Sequence, residues 1–216
     1  MKQKNIQWNN KVAKYSLLAS AALTVLNACG KDEEEPNDPD IIETDVVPDI
    51  SISSSTNTVD VRVFDLNNDG TSDINIGISN YSGVYGQYVT DFNIAYVEGL
   101  NDTELLTQEE TFTVAGASFT DTVVSPINEG NTIGASQVIW DDYFAILGLS
   151  GLYYNENVSV GQFFGQDKFV GLRIPVAGNL HYAWMRLSLS ADGTAITVKE
   201  YAFRETPNTP INAGDK

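Results

Sequence analysis

The chain has 216 residues, 12 Lys and Arg against 29 Asp and Glu, a formal net charge of −17, one cysteine and one histidine. That acidity excludes nucleic-acid binding, which needs a basic face to displace counterions from phosphates. The lone cysteine excludes a disulfide framework or Cys-rich metal site, and the lone histidine excludes His-clustered metal catalysis.

Residues 1 to 28 carry Lys2, Lys4, Lys11 and Lys14 and no acid. The apolar run Leu17 to Leu26 follows, too short for a membrane span of about 20 residues. A basic start, a short apolar run and small residues near its end read as a secretory signal. Leu26-Asn27-Ala28-Cys29 resembles a bacterial lipobox, with Asn27 a less usual middle residue. The resemblance implies cleavage before Cys29, a diacylglyceryl thioether on its sulfur and a further acyl chain, such as palmitate, on its amino group. Two or more chains anchor stably where one does not. The expected partner at this end is therefore a membrane. The alternative is a free thiol after an ordinary signal.

Residues 30 to 49 hold nine acids, one Lys and three prolines. Such a stretch buries too little apolar surface to fold, and self-repulsion keeps it extended. Residues 29–49 are thus expected to be a disordered tether reaching roughly 65 Å. Lys31-Asp32-Glu33-Glu34-Glu35 resembles the export tag of Bacteroidota surface lipoproteins, which implies an outer-membrane protein facing the exterior. A plain periplasmic tether is the alternative. After cleavage, eight basic against 29 acidic residues leave the mature chain at −21.

Beyond residue 49 the period is two. Val59, Val61 and Val63 alternate with Asp60 and Arg62, and Ile74, Ile76 and Ile78 alternate with Asn75 and Gly77. Strict alternation predicts half-buried strands. Between these two runs lies Asp65-Leu66-Asn67-Asn68-Asp69-Gly70-Thr71-Ser72-Asp73. Oxygens at positions 1, 3 and 5 can wrap a hard cation, Gly70 permits the sharp turn, Thr71 can offer its carbonyl, and Asp73 can bind directly or through water. The bidentate Glu of an EF-hand is missing, because Ile76 stands at position 12. Asp65, Asn67, Asp69, Thr71 and Asp73 are therefore candidate ligands of a structural Ca2+. A polar hairpin turn is the competing reading.

Tyr81, Tyr85 and Tyr88 fall in a Gly/Ser/Asn-rich stretch, expected to be a loop able to touch a ligand. Further strands are predicted over Tyr88–Glu98, Thr111–Ala115, Val138–Ile146 and Gln162–Pro175, with one turn of helix allowed between Asn101 and Glu110. Asp121-Thr122-Val123 fits the short O-glycosylation pattern of Bacteroidota, making Thr122 a weakly specified acceptor. Trp140-Asp141-Asp142-Tyr143 joins aromatic and acidic side chains that can stack on a sugar and accept its hydroxyl bonds; packing is the competing reading. Asp91, Glu98, Asp141 and Asp142 are the acids that a glycoside hydrolase could pair. So acidic a chain makes chance proximity the simpler account. No catalytic residue is assigned, and His181 is expected to be packed.

Ala183, Met185, Leu187 and Leu189 alternate with Trp184, Arg186 and Ser188, and Asp192-Gly193 then predicts a hairpin into Ala195–Phe203. Phe169-Val170-Gly171-Leu172-Arg173, His181-Tyr182-Ala183-Trp184-Met185-Arg186-Leu187, Lys199-Glu200-Tyr201-Ala202-Phe203 and Pro207-Asn208-Thr209-Pro210-Ile211-Asn212-Ala213-Gly214 follow in order. Together with the Asp65–Asp73 loop they resemble a module of secreted and surface bacterial proteins, with Ala183 where that pattern usually has Gly. The resemblance implies architecture and location but no activity. Tyr182 and Trp184 are expected to lie over a neighbouring strand or a ligand groove.

The expected fold is all-β, an antiparallel β-sandwich or jelly roll over residues 50–216. The expected function is a non-catalytic binding or adhesion module for an extracellular glycan or protein. The alternatives are a glycan-acting hydrolase and a structural subunit of a surface assembly.

Overall fold

A computed structural model describes residues 38–137 and 139–216, with the side chain of Tyr85 left undescribed. The expected signal peptide, Cys29 and residues 30–37 of the expected tether lie outside the described residues. Residues from 38 onward belong to one compact unit.

That unit is all-β. Its strands are β1 (Ile41–Ser53), β2 (Val59–Phe64), β3 (Ile74–Tyr85), β4 (Tyr88–Gly99), β5 (Glu104–Val114), β6 (Ala117–Val124), β7 (Thr132–Ile133), β8 (Trp140–Asp141), β9 (Phe144–Tyr153), β10 (Glu156–Val160), β11 (Asp167–Val176), β12 (Asn179–Leu189), β13 (Ala195–Arg204) and β14 (Ile211–Asn212). One continuous sheet runs β1-β13-β12-β11-β5-β6-β9-β4-β3-β2, with β10 on β9 and β8 on β5. Its two end strands, β1 and β2, meet, so the sheet nearly closes on itself as a barrel. Near closure leaves few unpaired strand edges. Every strand ladder is antiparallel except β6–β9, joined in parallel at Val123 and Ile146, and an isolated bridge between Phe164 and Leu189 is also parallel.

The main core fills the barrel. Ile74, Ile76 and Ile78 of β3, Leu105 of β5, Ala183, Met185, Leu187 and Leu189 of β12, and Ile196 and Val198 of β13 point into it. Alternation alone predicts these contacts, since every second strand residue faces one side.

A second apolar cluster lies on the outer face of β11, β12 and β13, where Leu106, Phe169, Tyr182, Trp184 and Ala202 meet Ile127, Ile133, Ile211 and Ala213. Tyr182 and Trp184 therefore line no open groove. The chain's own return segments cover them, pinned by the β7–β14 pair. Both faces of β12 are buried, which explains its near-continuous apolar run.

Three expectations change. The ordered domain begins before residue 50: β1 starts at Ile41 and pairs with β13, Ile41 opposite Arg204. Ile41, Ile42 and Val46 supply apolar contacts amid the acids. Domain cations also answer some of the acids, Arg204 pairing with Asp38 at 2.9 Å and Lys216 with Glu43 at 3.0 Å. The ladder breaks between Asp45 and Ile50, around Pro48, which has no N–H to donate. Secondly, no helical turn follows Asn101. Asn101 and Asp102 both adopt positive φ, forming a tight turn from β4 towards β5. Thirdly, Tyr81 and Tyr88 are strand residues: β3 and β4 stay paired to Tyr85 opposite Tyr88, and only Gly86 and Gln87 turn.

Candidate functional site

The Asp65–Asp73 connection joins β2 to β3 and is tied by its own side chains. Asp65 Oδ2 accepts the N–H of Gly70 at 2.8 Å, and Asn67 Oδ1 that of Asp69 at 3.0 Å. Asp69 Oδ1 accepts the N–H of Thr71, and Asp73 Oδ2 that of Leu66, both at 2.7 Å. Asp65 Oδ1 is buried with no hydrogen-bond partner. Asp73 is itself buried, and its carboxyl is pushed up to about 6, first by burial and further by the charges of Asp65 and Asp69, against the Leu66 hydrogen bond. An orphaned carboxylate oxygen beside two further acids is the donor chemistry a hard cation takes. In this conformation no three acidic, His or Cys side chains among the described residues stand close enough to hold a metal ion.

The Trp140 segment is built differently. Trp140 packs on Tyr182 at 6.0 Å between ring centroids, and the guanidinium of Arg173 lies over its ring at 4.9 Å. Its Nε1 donates to the carbonyl of Gln137. Arg173 is held there by Glu104. Asp141 accepts the Tyr143 N–H at 3.0 Å, and Tyr143 stands exposed. Trp140 thus serves as a cover for the second cluster, next to an open Tyr143. Thr122 lies on β6 opposite Glu109, half-buried. His181 is packed, stacked on Phe203 with Nδ1 at 3.0 Å from the Arg204 carbonyl.

The site that sequence reasoning only touched lies on the outer face of β4, β9 and the β5–β6 hairpin. Seven aromatic side chains form a branched ladder. Tyr81 meets Phe92 at 5.8 Å, Phe92 meets Tyr153 at 5.7 Å, Tyr153 meets Tyr154 at 4.6 Å, and Tyr154 meets Tyr88 at 5.5 Å. A second arm runs from Tyr153 to Phe119 at 6.4 Å and on to Phe112 at 5.7 Å. Strand register makes the first contacts, because Tyr81 lies opposite Phe92 and Phe112 opposite Phe119. Gly151 makes another. It lies opposite Phe92, and a Cβ there would stand 2.3 Å from the Asp91 carbonyl and 3.0 Å from the Phe92 side chain. Its lack of a side chain lets Phe92 reach Tyr153.

The ladder bounds two hollows. One, of about 170 Å³, lies under the β5–β6 hairpin among Phe92, Phe112, Phe119, Leu149 and Tyr153, with Asp121 the acid in its wall. The other, of about 230 Å³, is open between Tyr81, Phe92, Tyr153 and Tyr154. Tyr81, Tyr88, Phe119 and Tyr154 remain 37–40% exposed, so ring surface is presented to solvent rather than sealed in a core.

Hairpin tips fix the arrangement. The Ala115 N–H donates to Glu156 Oε2 at 2.8 Å, tying the β5–β6 tip to the start of β10. Tyr154 and Asn155, the two turn residues between β9 and β10, have φ of 51° and 66°. Such a turn requires the left-handed region at both positions, which Asn tolerates and a bulky Tyr does not. The signals for the ladder were in the sequence, as aromatics placed symmetrically about Ala115-Gly116 and about Gly86-Gln87. Only strand pairing brings the two hairpins to Tyr153. Comparison of the chain with family models, curated proteins and solved structures finds no match.

Proposed function

We propose that this chain is the extracellular, non-catalytic binding module of a lipid-anchored outer-membrane protein, and that a glycan lies along the aromatic ladder. The observation that carries the reading is the run of seven rings, four of them presenting surface to solvent, beside the Asp121 carboxylate. Rings stack on the apolar faces of sugars, and a carboxylate accepts their hydroxyl hydrogen bonds.

In this reading Cys29 carries the lipid, residues 30–37 lead from it to the domain, and the domain faces the exterior. The β1-β13-β12-β11 and β2-β3-β4-β9 halves share one core, which supports describing the near-barrel as a flattened, sandwich-like fold. Asp65, Asn67, Asp69, Thr71 and Asp73 would hold Ca2+, which would neutralise the orphaned and crowded carboxylates and steady the β2–β3 connection. Its role is structural.

The test uses a soluble chain beginning at Gly30, which retains every described residue. A glycan array followed by calorimetry is expected to find a saturable ligand. Phe119→Ala and Tyr154→Ala are expected to weaken it at least fivefold each. A folded wild-type chain that binds no glycan overturns the reading.

A further inference from the structure

We infer that the glycan bound along the ladder is cationic, a polymer of amino sugars with free amines. This rests on the binding reading above and names its ligand. The first observation is the placement of charge. From Val63 to Gln166 the chain has fourteen Asp and Glu and no Lys, Arg or His. That stretch contains β3 to β10 and every residue lining the two hollows.

The six later cations are occupied elsewhere. Arg173 pairs with Glu104, Arg186 with Asp167 and Glu200, Lys199 with Asp167, Arg204 with Asp38, and Lys216 with Glu43 and Glu200. Lys168 donates to Asn128. None of these is a lining residue of the aromatic hollows.

Acids at the ladder, by contrast, have no cation. The Asp121 carboxylate makes no hydrogen bond or ion pair among the described residues, and it stands opposite Glu110 in the β5–β6 register. Glu110 accepts only the Gly161 N–H, at 3.3 Å. A concave surface of one sign with apolar walls concentrates field and attracts the opposite charge. Aromatic faces add to the attraction, because their quadrupole is negative at the face. A neutral sugar gains stacking and hydroxyl hydrogen bonds, an anionic one is repelled, and a protonated amino sugar adds ring–cation attraction and a charge pair with the carboxylate.

A Lys- or Arg-bearing peptide would meet the same charges. An extended peptide, however, presents same-face side chains roughly 6.8 Å apart. The ladder steps are all shorter, between 4.6 and 6.4 Å. A chain of contiguous rings matches that spacing better.

The decisive measurement is calorimetry of the Gly30-onward chain below neutral pH, where the amines are protonated. The probes are a glucosamine oligomer, its fully N-acetylated counterpart, a neutral glucan oligomer and an oligolysine. The glucosamine oligomer is expected to bind at least tenfold tighter than the acetylated one, with the margin shrinking as NaCl rises. Asp121→Asn is expected to remove most of that margin, weakening the free-amine oligomer far more than the acetylated one. Glu110→Gln serves as a second variant should the first fail to fold. Equal binding of the free-amine and acetylated oligomers overturns the inference while leaving the glycan reading intact. Binding of oligolysine alone overturns it in favour of a polypeptide. Binding of no probe by the folded chain sinks both.

Discussion

Asn155 Oδ1 accepts the backbone N–H of Val89 at 2.7 Å, clasping the tip of one hairpin to the tip of another. The Asn155 N–H returns a bond to the Val89 carbonyl at 3.0 Å, and its Nδ2 reaches the Gln87 carbonyl at 3.3 Å. Tyr154 is thereby set against Tyr88. Asn155→Ala loses the side-chain acceptor and a residue tolerant of positive φ. The expected cost is about 1–2 kcal/mol in urea unfolding, with weaker glycan binding in the same variant. Unchanged binding in a folded Asn155→Ala chain would show that the clasp does not position the ladder.

Tyr154 is a bulky residue held at positive φ, and such strain persists where the structure uses it. Tyr154→Gly relieves about 1 kcal/mol or more of backbone strain. It also removes two ring contacts, each worth roughly 0.5–1.5 kcal/mol. These terms nearly cancel, so stability is expected to stay within about 1 kcal/mol of wild type while binding falls at least fivefold. Denaturant titration and calorimetry on one preparation separate the two effects.

Calcium occupancy is expected to appear as thermal stabilisation. At ten times its Kd the ion contributes about 1.4 kcal/mol. For a domain of this size that is a rise in Tm of roughly 3–6 °C. Asp65→Ala is expected to abolish the rise. A wild-type Tm indifferent to both millimolar Ca2+ and chelator would remove the metal from the account.

Glu200 gives the fold an acid-sensitive seam. Its burial would raise its pKa, but Lys216 at 2.7 Å and Arg186 at 2.9 Å outweigh this and hold the carboxyl below the usual range. Hydrogen bonds from Lys199 and Arg186 likewise hold Asp167 low. A carboxyl whose folded pKa is depressed stabilises the fold above its unfolded pKa, near 4 for these residues, and loses that contribution as pH falls through the folded value. Chemical denaturation from pH 7 to pH 3 is therefore expected to show the Glu200 and Asp167 contributions being lost from about pH 5 downward, against the opposite trend of Asp73, whose raised pKa favours the folded state as pH falls through about 6. Glu200→Gln is expected to start lower at pH 7 and to show a shallower fall.

Alternation in the β3 and β12 runs and the Asp192-Gly193 turn were enough to predict an all-β domain, because strand period and turn chemistry are local properties. The Asp65–Asp73 loop was equally visible, since its donors are consecutive. Closure of the sheet was not, because it depends on where β1 ends up, and acid-rich residues 41–49 read alone as unfolded. Their partners, β13, Arg204 and Lys216, lie more than 150 residues away. Local pattern also could not tell which aromatics are core and which are surface. Trp184 and Tyr182 are sealed by the distant β7–β14 segments, while Phe92, Phe119 and Tyr153, from three different strands, converge on an open face. Nor does net charge reveal that its cations sit apart from that face. The sequence by itself determined the strand content, the turns and the sum of charge. Tertiary structure decided which side chains share a surface, because strand order and register bring together residues that chain distance keeps apart.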